Sequence, residues 1–300
     1  MANSIALFKT YVTLLDEVYK EASLTAELDG APELARQGAN ANELIIPKLD
    51  MSGLADYSRN DGYVNGSVTL TNETVTCNFD RGTMFSVDNV DNMETAGIAY
   101  GRLAGEFIRT KVVPELDAFR FAQYAQATGI STVAGAALST GAAVVEAIRA
   151  AINKLDEDEV PSTERYLYIT PTLLGLVEDL DTTKSRKALE GFAAIKKVPQ
   201  SRFYTKIKQK SGKILPGASD GATIDETAGG FAKDTAGKNI NFMIIHKPAV
   251  IQFEKHIAPK VITPEQNQTA DAWKFGYRNV GIADVYENKV AGIYLHKSTT

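Results

Sequence analysis

The chain has 300 residues, 44% hydrophobic and 23% charged, with a formal net charge of −5. That length buries a sizeable core as one large domain or two modest ones, and the acidic balance argues against a surface given over to nucleic acid. The single cysteine, Cys77, excludes an intrachain disulfide framework, and no basic start with an unbroken apolar run marks a signal peptide or a membrane span.

Residues 4–28 place Ile5, Phe8, Val12, Leu15, Val18 and Ala22 on one helical stripe. The stripe ends at Asp29-Gly30-Ala31-Pro32, a stop signal. "QGANANELIIPKL" then reads as loop and short strand. A helix followed by an extended tether is an arm, or else an ordinary first helix docked on its own domain. Residues 50–85 are polar and rich in Asn, Gly and Thr. Val68 and Leu70 alternate with polar residues, as do Val75, Cys77 and Phe79, with "TNET" (Thr71–Thr74) between them. That pattern predicts a β-hairpin turning at TNET, with one thin apolar face per strand. Such a ribbon is marginal alone and must lie on its own domain or on a neighbour.

The stretch "YGRLAGEFIRTKVVPELDAFRFAQYAQATG" follows, with Asp91 or Asn92 available as a cap. Ile98, Gly101, Gly105, Ile108, Val112, Leu116, Phe119 and Ala122 keep 3–4 spacing past Pro114. The continuity favours one kinked helix; the alternative is a helix ending near Val113 and a second with Pro114 at its first position. About 35 residues at 1.5 Å each make a spine of roughly 50 Å.

Beyond Gly129, "ISTVAGAALSTG" reads as a small-residue linker and "AAVVEAIRAAINKLDEDEV" as a helix stopped by Pro161. "RYLYIT" is a buried strand, and "TPTLLGLVEDL" a short helix with Thr170 as cap and Pro171 at its first position. "GFAAIKKVPQSRFYTKI" gives strand, turn and strand, and 211–237 a loop by composition. The remaining segments, "INFMIIHKPAVIQFEKHIAPKVITP" and "DAWKFGYRNVGIADVYENKVAGIYLHKS", supply strands. The class is α+β, two lobes sharing the long helix. Residues 154–181 hold eight acids against Lys154 and Arg165, and 184–213 hold ten Lys/Arg against Glu190 alone. These are two solvated faces, or faces that meet between copies of the chain and set register.

Catalytic chemistry is sparse. His246, His256 and His296 are the only histidines, none at metal-binding spacing, and no HExxH or CxxC occurs. Cys77 sits in a Thr-rich strand pattern and reads as a packed small hydrophobe rather than half of a dyad. "GGFAKDTAGKN" departs from a phosphate loop in spacing, and Asn239 stands where the hydroxyl residue belongs. Asp156–Glu159 reads as a solvated helix end. Trp273 and Tyr277 beside Lys274 and Arg278 read as strand-core aromatics with outward charges, the alternative being a nucleic-acid patch. No catalytic, cofactor-binding or metal residue is expected, and no cofactor.

The ordered set of segments resembles the major capsid proteins of tailed double-stranded DNA bacteriophages, the Hong Kong-97 capsid fold. "DRGTMFSVDNVDNMETAG" and "FIRTKVVPELDAFRFAQYA" are similar to the family's approach to the spine and to the spine itself. "YLYITPTLLGLVEDL" and "KKVPQSRFYT" are similar to its axial lobe, and "APKVITPEQNQTADAWKFGYRNVGIADVYENKVAGIYLHK" to its closing strands. The resemblance covers nearly the whole chain. It implies an N-terminal arm at 1–42, an extended hairpin loop at 43–85, a peripheral lobe with the spine helix at 86–128 and 240–300, and an axial lobe at 129–239. It implies a non-enzymatic structural protein that self-assembles as pentamers and hexamers into an icosahedral head shell. The implied partners are scaffold, portal and decoration proteins and non-specifically held double-stranded DNA, with no membrane. The implied location is the virion, assembled in the host bacterial cytoplasm. The arm is too short for a fused scaffolding segment, which points to a separate scaffold or a cleaved precursor. An encapsulin-like cargo compartment of the same fold, or an unrelated α+β enzyme or binding protein, are the alternatives.

Overall fold

The computed structural model describes residues 23–30, 36–37, 43–60, 62–89, 104–217 and 222–299. Of the stripe expected over 4–28, residues 4–22 lie outside the described residues, as does the cap at Asp91 or Asn92. Residues 23–28 contain one short turn of 3-10 helix, Ala26–Leu28.

Strands β1 (Arg36–Gln37), β2 (Glu43–Met51) and β3 (Val68–Thr76) form one antiparallel ribbon. Thr71–Thr74 is not a turn: β3 runs through it unbroken and pairs with β2 from Glu43↔Thr76 to Met51↔Val68. The hairpin therefore closes over residues 52–67. β4 (Phe79–Asp88) leaves the ribbon and enters a different sheet.

The spine, α1, covers residues 104–126, and its inner turn Ile108–Val112 is π-helical. Phe107, Val112 and Val113 all have helical backbone angles, so α1 is one helix through Pro114. Proline has no N–H to give the Thr110 carbonyl. The chain widens by one π turn just before it, with Val113 N–H donating to Ile108 O and the Thr110 hydroxyl donating to Glu106 O at 2.6 Å. Pro114→Ala restores a donor at this point. Its expected result is an unchanged helical content and a Tm at or above the parent's. A Tm clearly below the parent's, measured by circular dichroism, means that the π turn depends on the ring.

After α1 come β5 (Ser131–Val133), α2 (Gly141–Glu157), β6 (Arg165–Ile169), α3 (Pro171–Glu178), α4 (Thr183–Leu189) and β7 (Ala194–Lys197). The segment expected as a loop over 211–237 carries short ladders. β8 (Ile207–Gln209) pairs with β11 (Phe231–Lys233), and β9 (Ile214–Pro216) with β10 (Thr223–Asp225). The chain ends with β12 (Ile240–His246), β13 (Val250–Ile262), β14 (Ala272–Val285) and β15 (Ile293–Lys297).

Two sheets follow. One is three-stranded, β13-β14-β4, and the other five-stranded, β5-β15-β12-β6-β7. The segment 240–300, expected in the peripheral lobe, is divided between them: β14 pairs with β13 and β4, while β12 pairs with β15 and β6. Alternation explains why "RYLYI" and "INFMIIH" are apolar on successive residues, apart from Arg165, Asn241 and His246. Tyr168, Met243, Ile245 and Leu295 face the core around α1, and Leu167, Ile169, Phe242 and Ile244 face the core under α2–α4. Gly141 lets α2 approach α3, since a Cβ there would lie 2.0 Å from the Leu176 carbonyl oxygen. α1 is covered by both sheets. Phe121 meets Tyr168 and Phe203 on one side, and Phe107 meets Phe85 and Tyr277 on the other.

Candidate assembly interface

Three groups of residues stand out: one projects from the subunit, and two tie its segments together. The first is the β2–β3 ribbon. Only its base is packed: Ile46, Val75 and Cys77 join Ile251, Ile282 and Tyr286, and Lys48 pairs with Glu287. Cys77 is thus a packed small hydrophobe beside an apolar cluster. Further out, Leu49 faces Leu70 and Met51 faces Val68 across the ladder. Cross-strand pairs share a face, so these four exposed side chains form one apolar stripe, continued by exposed Leu54, Tyr57, Tyr63 and Val64. The tip is built rather than loose. Ser58 and Gly62 exchange backbone hydrogen bonds at 3.3 and 2.9 Å, Gly62 takes φ +80°, and the Tyr57 and Tyr63 rings lie 4.9 Å apart.

The second group anchors the segment 23–30. Asp117, fully buried in α1, accepts from Ser23 Oγ at 2.9 Å, Leu24 N–H at 3.1 Å and Thr25 Oγ1 at 2.8 Å, and pairs with Arg202 at 3.4 Å. Arg120, one turn on and 2% exposed, donates to Thr25 Oγ1 and to Glu254 Oε1, each at 2.8 Å. Tyr124 donates to Gln252 Oε1 at 2.7 Å, and the Gln252 amide donates in turn to Thr25 O and Asp29 Oδ1. Burial raises the Tyr124 pKa and keeps the phenol a donor. Spacing of three and four residues puts Asp117, Arg120 and Tyr124 on one face of α1. Leu28 completes the anchor by entering the core at 1% exposure. The sequence reading missed this network. Its only signal is a charged pair inside the apolar run "LDAFRFAQYA".

The third group ties β4 to α1 and to the ladders of 207–233. Arg81 donates Nε to Glu115 at 2.8 Å, Nη1 to Lys210 O at 2.8 Å and Nη2 to Gly230 O at 3.2 Å. Burial raises the Glu115 pKa, and the Arg81 guanidinium opposes the rise.

The other residues singled out in the sequence do not converge. His246 and His296 are buried in β12 and β15, where burial holds both imidazoles below their usual pKa, and His256 lies on β13. Among the described residues no group of three or more His, Cys, Asp or Glu side chains could hold a metal ion, and no helix is long and apolar enough to cross a membrane. Asp156 pairs with Arg165 and Asp158 with Lys154. Tyr277 packs in the core around α1, and Arg278 reaches Asp80. Several cations of the basic run are paired within the subunit: Lys197 with Glu178, Lys206 with Asp234 and Lys208 with Glu226.

No family model matches the chain, and no curated protein does. Solved structures do match over nearly the whole length. A protein of Mycobacterium phage Che8 is 14% identical with TM-score 0.61, covering 91% of this chain and 90% of that one. The virus-like particle from Pyrococcus furiosus is 9% identical with TM-score 0.59, covering 97% and 99%. The capsid of cyanophage P-SCSP1u is 12% identical with TM-score 0.56, covering 88% and 85%. A spine helix between two sheets, with a projecting ribbon, is thus a whole-chain similarity to shell proteins, and the chain has the Hong Kong-97-type capsid fold.

Proposed function

We propose that the chain is the major capsid protein of a tailed bacteriophage, assembling as pentamers and hexamers into the icosahedral head shell around double-stranded DNA. The observation that carries this reading is the ribbon. Its apolar stripe projects from a fold shared with capsids and is uncovered among the described residues of its own subunit. Monomers rarely expose so continuous an apolar strip without a partner for it. In this reading the peripheral lobe is built on β4, α1, β13 and β14, and the axial lobe on the five-stranded sheet with α2–α4. The work is done by interfaces, with no catalytic residue. Scaffold, portal and decoration proteins are the expected partners, the virion is the location, and assembly takes place in the host cytoplasm.

The near-complete overlap with the Pyrococcus furiosus virus-like particle favours a second reading, an encapsulin-like shell around cargo enzymes. The two differ in contents: nuclease-protected DNA in purified particles supports the head shell, and a co-purifying enzyme supports the compartment. Light scattering that finds only monomers or dimers, with the full virus gene set expressed, overturns both.

How the shell is secured is also testable. Residues 49–84 contain no lysine, and Arg59 and Arg81 are poor nucleophiles. Lys48 lies at the base of the ribbon with its ammonium on Glu287. Contacts between subunits are therefore noncovalent in this reading. Particles boiled in denaturing detergent are expected to run as one band near 32.5 kDa. A ladder of multimers that survives boiling and reductant overturns this.

A further inference from the structure

Asn65 is the one asparagine of the chain that a glycine follows. It lies in the loop that closes the ribbon, between two pinned points. On one side Ser58 and Gly62 exchange backbone hydrogen bonds. On the other, Ser52 N–H donates to Ser67 O at 3.0 Å and Ser67 N–H to Ser52 Oγ at 2.9 Å. Residues 63–66 cross between these points outside any strand, with Asn65 and Gly66 both exposed. Among the described residues neither the Asn65 amide nor the Gly66 N–H has a hydrogen-bond partner. The glycine itself is required by the fold, since a Cβ at Gly66 would lie 2.7 Å from Ser52 Oγ. Its nitrogen is therefore unhindered by a side chain, unbonded, and next in the chain to an unheld amide. Other asparagines of the region are held. Asn78 donates to Ala283 O at 2.7 Å and accepts from Ala283 N–H at 3.1 Å, and Asn72 sits within the β3 ladder before Glu73.

We propose that Asn65-Gly66 is a self-modifying site on the unassembled subunit. The Gly66 nitrogen bonds to the Asn65 Cγ, the Cγ–Nδ2 bond breaks, and the Gly66 proton leaves with Nδ2 as ammonia. Water then opens the cyclic imide at either carbonyl, giving aspartate or isoaspartate. Both products put a carboxylate between Val64 and Val68, which are 64% and 69% exposed in the apolar stripe. A contact that covers the stripe must then bury an unpaired charge, which is costly. This consequence rests on the shell reading. In it, subunits that wait too long lose the ability to join, and in those that have joined a covering neighbour holds the loop and excludes water.

The test uses the full chain, separated by size into free subunits and particles and held at mildly acidic and mildly alkaline pH. Trypsin releases Asn60–Arg81, which carries Asn60, Asn65, Asn72 and Asn78 in one peptide. The expected result in free subunits is the mass change of NH2 to OH at Asn65, ahead of the other three and faster at the higher pH. Particles are expected to show little of it. Asn65→Asp is expected to lower the yield of particles by about tenfold or more with Tm unchanged. Asn65→Gln, whose longer side chain closes the ring poorly, is expected to keep assembling after storage that disables the parent. Conversion spread evenly over the four asparagines, or none at Asn65, overturns the site. Equal conversion in particles, or normal assembly of Asn65→Asp, overturns its effect on assembly. A parent chain that forms no particles overturns the shell reading, and the mass change in free subunits then decides the site by itself.

Discussion

Shortening the β2–β3 ribbon is expected to give a folded subunit that cannot assemble. Lys48 and Thr71 are register partners, so residues 49–70 can be replaced by an Asn-Gly turn without moving either strand. The packed base, with Ile46, Val75 and Cys77, stays intact. What leaves is eight exposed apolar side chains: Leu49, Met51, Leu54, Tyr57, Tyr63, Val64, Val68 and Leu70. At about 1.5–3 kcal/mol for each one fully buried, their covering by a neighbour contributes up to roughly 12–24 kcal/mol. Association costs an estimated 4–15 kcal/mol, so losing the ribbon is enough to reverse the balance. Light scattering is expected to show only small species, with Tm close to the parent's. Shells from the shortened chain would remove the ribbon from the assembly mechanism, and a large fall in Tm would mean that it stabilises its own subunit.

Asp117→Ala is expected to be the most damaging single change. The carboxylate is fully buried and satisfies Ser23, Leu24 and Thr25 while pairing with Arg202. Removing it leaves the buried Thr25 hydroxyl and the half-buried Ser23 and Leu24 donors without that acceptor, and Arg202 without its counter-charge. Breaking such a network costs about 3–5 kcal/mol. At about 2–4 °C per kcal/mol for a large domain, Tm falls by roughly 6–20 °C. Asp117→Asn keeps an acceptor oxygen and should lose distinctly less. Protease cleavage near Ser23–Gly30 should rise in both variants, since this segment is what the carboxylate holds. A Tm within about 2 °C of the parent's in Asp117→Ala would mean that the anchor is not a stability element.

How far the fold was legible depends on how each element is covered. Four strands of the five-stranded sheet were readable, "RYLYI" and "INFMIIH" because their runs are largely apolar on both faces, but β5 lies in the "ISTVAGAALSTG" stretch read as a linker. The order of the sheet was not readable, since nothing local says that β15 lies between β5 and β12. The hairpin expected across TNET does not form: Val68–Leu70 and Val75 belong to one strand, β3, which pairs with β2 instead. β3 is exposed along most of both faces, so Asn72 and Glu73 interrupt the alternation without interrupting the strand. The ladders in 207–233 were missed because their strands are three residues long within Gly- and Asp-rich sequence. The spine survived Pro114 because its 3–4 spacing did. The anchor on Asp117 and Arg120 joins residues some ninety positions apart, and pairwise contacts of that kind leave no local pattern.

The position of β15 also sets a clock. The central strands of the five-stranded sheet come from residues 165–169, 240–246 and 293–297, so the sheet cannot close until the last of them has been synthesised. Translation at about 5–20 residues per second delivers that strand roughly 15–60 seconds after the first residue. The β2–β3 ribbon emerges early in that interval, carrying its apolar stripe. In the shell reading, the surface that covers it lies on another subunit and requires a finished fold. In that reading nascent chains on one messenger display the sticky element long before they can receive it, and assembly begins only among completed subunits.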